Sequence, residues 1–307
     1  MIHRRLVLAA GTAAVGLALC GPAFAQQAKL PVVASFSILS DLLREVGGDR
    51  VEIATLVGPN GDAHVYQPSP ADAKRLAGAK LVVVNGLGFE GWLDRLVKAS
   101  GTKATVAVAA RGVKPLESKE DDGHKGHKHD HGSVDPHAWQ DVANVKLYVA
   151  NIRDALAAAD PDGKDAYASR ASAYLAKLDS LDAEIKAAVA RIPGDRRKIV
   201  TSHDAFAYFG KAYGITFISP QGVSTEAEVS AKNVARIIRQ IKADKIPAVF
   251  IENVSDPRLM ERITKETGAK VGGRLYSDAL SAQDGPAGTY IDMMRSNIRE
   301  LSTALSS

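Results

Sequence analysis

Hydrophobic positions along the chain alternate between short continuous runs and longer stretches with helical spacing. Residues 31–36 (Pro-Val-Val-Ala-Ser-Phe) form an apolar run of the kind expected for a strand buried on both faces, and residues 37–46 follow with a helical period. Residues 51–57 predict a second strand, ended by the breaker-rich turn Gly58-Pro59-Asn60-Gly61. A helix then starts with Ser69 as N-cap and Pro70 at its first position and runs to about Leu76. His64 therefore falls on a loop between a strand and a helix. The rhythm continues with a strand at 81–85, a glycine turn at 86–88, an amphipathic helix around 89–98 and a strand at 104–108. It collapses at Pro115, and residues 117–133 are charged, glycine-bearing and histidine-rich without periodicity, which predicts a mobile loop.

Regularity returns at Asp135-Pro136-His137, followed by a helical stretch at 142–158 that stops before Asp160-Pro161. Residues from about 162 to 191 carry one long apolar stripe (Tyr167, Ala171, Tyr174, Leu175, Leu178, Leu181, Ile185, Val189) with charged residues opposite, a helix able to span two lobes. The strand-helix rhythm resumes at 198–202. It continues with strands at 215–218, 248–251 and 269–275 and helices at 231–243, 257–267 and 290–305. Strands alternating with helices imply an α/β fold of doubly wound parallel sheet. The expected organisation is a leader at 1–25, an N-terminal α/β lobe at 26–160 containing the loop 117–133, a rigid linker helix at 161–192 and a C-terminal α/β lobe at 193–307. The two halves share a rhythm without an alignable sequence repeat.

Composition narrows the function classes. A chain of 307 residues is long enough for two ordinary cores, and apolar and charged fractions of 46% and 24% are globular in type. Arg4 and Arg5 sit in the N-terminal segment; without them the chain is close to neutral and has no basic stripe suited to nucleic acid. His3-Arg4-Arg5, the apolar run 6–19 and Ala23-Phe24-Ala25 read as an export signal cleaved after Ala25, placing the protein in the periplasm. A membrane anchor and lipidation at Cys20 are the competing readings; Leu19 before that cysteine and the glycines in the apolar run disfavour them. The Arg4-Arg5 pair also fits twin-arginine export. Cys20 is the one cysteine of the chain and leaves with the leader, so the exported protein has neither disulfide nor thiolate, and metal chemistry must come from His, Asp and Glu.

Those residues are distributed economically. Of the eight histidines, His3 lies in the leader, His124, His127, His129 and His131 lie in the loop, and His64, His137 and His203 each follow a predicted strand end or begin a loop. Asp278 has the same kind of position. Open parallel sheets bind ligands beyond the carboxyl ends of their strands, so a cleft between two lobes can collect all four. Three neutral imidazoles and one carboxylate form a closed set for a tetrahedral ion, with zinc the natural occupant. Each residue also has a plainer reading: a solvated loop histidine for the three imidazoles, a turn or helix cap for Asp135 and Asp278. Glu252 ends a strand facing the cleft and is read as a partner behind a ligand, an alternative ligand or a salt-bridge residue; Asp204 is equally open. The run 124–131 has the imidazole density of a weak zinc collector, a tethered cluster that raises local metal concentration near the cleft.

The segments Asp62-Ala63-His64-Val65-Tyr66-Gln67-Pro68-Ser69-Pro70, Asn85-Gly86-Leu87-Gly88-Phe89-Glu90-Gly91-Trp92, Asp135-Pro136-His137-Ala138-Trp139, Thr201-Ser202-His203-Asp204-Ala205-Phe206 and Tyr276-Ser277-Asp278 resemble a known family. It is that of the metal receptors among the solute-binding proteins of bacterial ABC importers, zinc type. The resemblance covers nearly the whole exported chain. It implies two α/β lobes joined by a long helix, metal between them on His64, His137, His203 and Asp278, delivery to a membrane permease, a monomeric state and no catalysis. A periplasmic metallochaperone is a candidate loading partner. Manganese-type relatives generally carry a carboxylate where this chain has His203, and an added imidazole favours zinc over the harder manganese ion. Some zinc receptors brace the C-terminal lobe with a cysteine pair; this chain departs from that pattern. The alternatives are a manganese receptor, a metal-dependent adhesin, or a secreted zinc hydrolase with Glu252 as base; the last lacks a His-Glu-x-x-His pair.

Overall fold

The computed structural model describes residues 28–118 and 134–306. The expected leader and the histidines 124–131 lie outside the described residues. In the first half, β1 (Leu30–Phe36), α1 (Ser37–Gly47), β2 (Val51–Val57), α2 (Pro70–Gly78), β3 (Leu81–Val84), α3 (Leu93–Ser100) and β4 (Thr105–Val108) build one parallel sheet of order β2-β1-β3-β4. Val33 pairs with Ala54 on one side and Val82 on the other. Helices cover both faces of such a central strand, which is why β1 and β3 are apolar without alternation. Ser69 caps α2 in a capping box with Asp72, and Pro70 occupies the first turn, as its sequence predicts. The helix expected at 89–98 starts only at Leu93, because residues 86–92 are spent on a compact turn.

β5 (Leu116–Glu117) and β6 (Val134–Asp135) pair antiparallel and bring together the two ends of the histidine-rich segment. Two-residue strands are too short to leave a periodic signal, so this pairing is invisible in the pattern. After α4 (Val142–Ala159), a 3₁₀ turn at Pro161–Gly163 leads into α5 (Lys164–Ala190), the long helix expected at 161–192. Its 27 residues span about 40 Å at 1.5 Å per residue.

The second half comprises β7 (Lys198–Val200), α6 (Ala207–Tyr213), β8 (Thr216–Ile218), α7 (Ala231–Asp244), β9 (Ala248–Glu252), α8 (Arg258–Thr267), β10 (Lys270–Leu275) and α9 (Tyr290–Ser306). Its parallel sheet has the order β10-β9-β7-β8. Each half thus holds a four-stranded parallel sheet, a structural repeat without a sequence repeat.

Tyr167, Ala171, Tyr174, Leu178, Leu181, Ile185 and Val189 form the buried stripe of α5, which packs on α1 and α4 in one half and on α6 and α9 in the other. One apolar core therefore runs through both halves, from Val32 to Leu305. A second, smaller core (Val200, Val234, Ile237, Ile241, Ile246, Val249, Met260, Ile263) lies in the C-terminal half alone, against the amphipathic α7 and α8. Among the described residues no helix is long and apolar enough to cross a membrane.

Candidate metal centre

His64 lies in the loop after β2, His137 two residues after β6, His203 three residues after β7 and Asp278 three residues after β10. All four are thus launched from the ends of strands, and the structure brings them together: one ligand-type atom from each lies within 4.8 Å of every other. His64 Nε2 is 3.2 Å from His137 Nε2 and 3.3 Å from Asp278 Oδ2. His203 Nε2 is 3.1 Å from Asp278 Oδ2, and His137 Nε2 is 3.5 Å from Asp278 Oδ1. A tetrahedral ion with bonds of about 2.0–2.1 Å keeps its ligand atoms about 3.3–3.4 Å apart; these four contacts lie near that value, and the group as a whole lies within 4.8 Å.

Each imidazole is oriented by its surroundings. The peptide N–H of His137 donates to Asp135 Oδ1 (2.9 Å), and the same oxygen lies 2.7 Å from His137 Nδ1. A carboxylate only accepts, so Nδ1 carries the proton and Nε2 is left to face the cluster. Glu252 flanks His203: Oε1 accepts the peptide N–H of His203 (2.9 Å), and Oε2 lies 2.5 Å from its Nδ1 as an ion-pair contact. Glu252 therefore stands behind a cluster residue and does not join the cluster. Asp204 is also outside it; its peptide N–H donates to Gly222 O. The His64 peptide N–H donates to Asp62 Oδ1 (2.9 Å), and the ring sits edge-on to Phe89 at 4.8 Å.

Phe89 is placed by the sequence Asn85-Gly86-Leu87-Gly88, where Gly86, Leu87 and Gly88 have φ of 84°, 55° and 79°. Three successive left-handed residues fold the chain back tightly, a conformation glycine makes accessible. The turn delivers Glu90 beneath itself: its buried carboxylate accepts from Ser35 Oγ (2.6 Å), Asn85 N (2.6 Å) and Gly86 N (3.2 Å). Asn85 Nδ2 in turn donates to Pro136 O (3.0 Å), which fixes the residue before His137. Phe36, Phe89 and Trp139 pack against one another with ring centroids 4.8–5.1 Å apart and form an apolar wall beside the imidazoles. Sequence reasoning missed Glu90, Asn85 and the role of Asp135; an acidic residue beside a double-glycine turn was the available signal.

The electrostatics are those of a site suited to positive charge. His137, His203 and Asp278 are fully buried, and neither oxygen of Asp278 has a hydrogen-bond partner among the described residues. Burial alone favours neutral imidazoles. It prevails at His64, which is pushed below the usual histidine range. At His137 the charges of Asp278 and Asp135 outweigh burial and raise it to about 9, and at His203 Glu252 and Asp278 outweigh burial and hold it well above the usual range. Asp278, penalised by burial, is nonetheless held well below the usual carboxylate range by His203 and His137. Protons or a cation can fill this cluster, and a metal ion must displace the protons to bind.

The chain matches the family described as ZnuA, zinc-uptake complex component A, periplasmic, over residues 32–304. It is 36% identical over 277 residues to the manganese-binding lipoprotein MntA of Halalkalibacterium halodurans, covering 90% of this chain and 89% of that one. Against the iron-binding protein YfeA of Yersinia pestis, identity is 33% over 270 residues, with 88% and 84% covered. Among solved structures, the periplasmic zinc-binding protein TroA of Treponema pallidum superposes with a TM-score of 0.83 at 28% identity, over 91% of this chain and all of that one. A manganese-bound periplasmic metal-binding protein of Candidatus Liberibacter asiaticus gives 0.80 at 29% identity, over 90% and 100%. With the two-sheet fold and its long helix, these matches show that the chain belongs to the ZnuA family of metal-receptor solute-binding proteins, which serve metal ABC importers and are not enzymes.

Proposed function

We propose that the protein captures zinc in the periplasm on His64, His137, His203 and Asp278 and delivers it, as a monomer, to the membrane permease of an ABC importer. The observation that carries this reading is the convergence of three imidazole Nε2 atoms on a buried carboxylate with no hydrogen-bond partner, one ligand-type atom from each residue lying within 4.8 Å of every other. Four protein ligands fill such a shell and leave no open position for a reactive water. Three nitrogens and one oxygen suit zinc better than manganese, which favours oxygen ligands and higher coordination. Export through the leader, loading by a periplasmic metallochaperone and collection of metal by His124, His127, His129 and His131 complete the proposal; these segments lie outside the described residues.

A manganese receptor is the second reading. It is favoured by the relatives named for manganese and by the two oxygens of Asp278, neither of which has a hydrogen-bond partner and which together permit bidentate binding and a fifth ligand atom. Metal content after purification without added metal, followed by direct competition between zinc and manganese, separates the two. The proposal expects zinc in the purified protein and no displacement of it by excess manganese. Displacement at comparable concentrations would establish the manganese reading.

A further inference from the structure

Two kinds of contact join the halves around the cluster. Those on its inner side are buried: Trp139 Nε1 and Gln140 Nε2 donate to Ser277 O (2.8 and 2.7 Å), and Leu280 N donates to Ser37 Oγ (3.0 Å). The others come from the turn after β2 and lie nearer solvent. Asn60, held at φ 54°, donates its N–H to Leu280 O (2.8 Å) and accepts from Asn253 Nδ2 (3.2 Å). Two residues on, Asp62 Oδ2 accepts from Thr225 Oγ (2.6 Å) across 163 positions of sequence.

Asp62 is unusual in serving both sides with one carboxylate. Its Oδ1 takes the N–H of His64, while its Oδ2 takes the hydroxyl of Thr225. Thr225 belongs to a small knot: Gln221 Nε2 donates to Thr225 O (3.0 Å) and Ala227 O (2.8 Å), and Ser219 Oγ donates to Gln221 O (2.8 Å). The knot is joined to the segment of His203, which forms a parallel bridge with Gln221, while Asp204 N donates to Gly222 O. A continuous run of hydrogen bonds therefore leads from the backbone of His64 through Asp62, Thr225 and Gln221 to the backbone of His203. It closes at the exposed side of the site, where Val65 is 46% exposed beside the nearly buried His64 ring.

We propose that Asp62 and Thr225 form a release latch: the hydrogen bond between them sets how long a bound ion is held, by tying the segment of His64 to that of His203. This rests on the ligand set proposed above. Neither residue belongs to the cluster of four, so the latch acts on the separation of the two halves and leaves the coordination shell alone. An ion held from both halves leaves when they part, and a charge-assisted bond at the mouth resists that first opening.

Thr225→Val removes the hydroxyl and keeps the shape; Thr225→Ser keeps the hydroxyl. Zinc release into excess chelator is followed by stopped flow, and cobalt spectra of each protein report the shell. Expected is release about tenfold faster in Thr225→Val, the scale of one lost hydrogen bond to a charged group. Thr225→Ser should release at the unaltered rate, and all cobalt spectra should coincide. Equal release rates for Val and Ser variants, a change confined to the capture rate, or an altered cobalt spectrum in Thr225→Val would each overturn the latch. The cobalt spectrum of the unaltered protein tests the ligand set separately: absence of tetrahedral bands removes that reading whatever Thr225 does.

Discussion

Three imidazoles proposed to hold one ion share a requirement: each must present a lone pair inward and place its other nitrogen somewhere useful. His137 and His203 meet it with carboxylates, Asp135 and Glu252, each of which accepts the peptide N–H of its histidine and lies against the ring Nδ1. Such partners fix the ring and raise its basicity, and their loss typically costs about 10- to 100-fold in metal affinity. Asp135→Asn and Glu252→Gln should each weaken zinc by roughly that factor, read by chelator competition, with unchanged far-UV circular dichroism. Affinity equal to the parent in both would mean the carboxylates only stabilise the fold. A second residue bears on pH. Asp41 is 2% exposed and accepts from Tyr290 N; burial outweighs that bond and raises its carboxyl to about 6. The folded state then holds its proton more tightly than the unfolded chain, so its contribution is fully present below about pH 4 and is lost as pH rises through 6. Urea unfolding of the metal-free protein from pH 4 to 7, with and without Asp41→Asn, should show the two stabilities diverging in that window by about 2–3 kcal/mol, with the substituted protein gaining on the parent as pH rises. Parallel curves would refute it. At this scale the sequence shows which residue types are scarce enough to be ligands, since the histidines outside the loop and leader are the three that converge. It does not show that Asp135 is more than a turn residue, because holding a ring nitrogen leaves no spacing signature.

Strands and helices place those residues through rules readable from the chain. Continuous apolar runs at 31–36, 81–85 and 248–251 become central strands, and breaker-rich turns become the loops that carry His64 and Phe89. What periodicity leaves out are short or irregular elements: the β5–β6 pair, the seven-residue α6, and the irregularity in β10, where the register against β9 shifts between Val271 and Arg274. That shift rests on Gly273, at φ 130°, where an added Cβ would collide with the Glu300 carboxylate. It slips the pairing by one residue and sets Leu275 opposite Glu252, three residues before Asp278. Gly273→Ala should destabilise the protein by roughly 1–3 kcal/mol in urea unfolding and weaken metal binding at the same time, since strain there is transmitted along β10. A variant equally stable and equally tight would show that the shift tolerates a side chain.

For the molecule as a whole, two four-stranded parallel sheets are fastened by α5, whose stripe is buried in both halves, and by α9, which packs on β10, α5 and α1. One apolar core runs through this back, and the long stripe at 167–189 is buried in both halves, as expected of a helix joining two lobes. The order of strands within each sheet was not legible, since parallel order depends on which crossovers neighbour one another and not on residue type. The front is different, held by hydrogen bonds between side chains and to backbone and by the ion that the four converging residues are proposed to bind. That division lets metal capture be judged by one proposed ligand contributed from the second half. Zinc affinity of His203→Ala against the parent, measured by chelator competition at neutral pH, tests it most directly. The account predicts a loss of at least about 100-fold, since removing a coordinating nitrogen exceeds the roughly 10- to 100-fold cost of removing a partner behind one. Unchanged zinc affinity would contradict it.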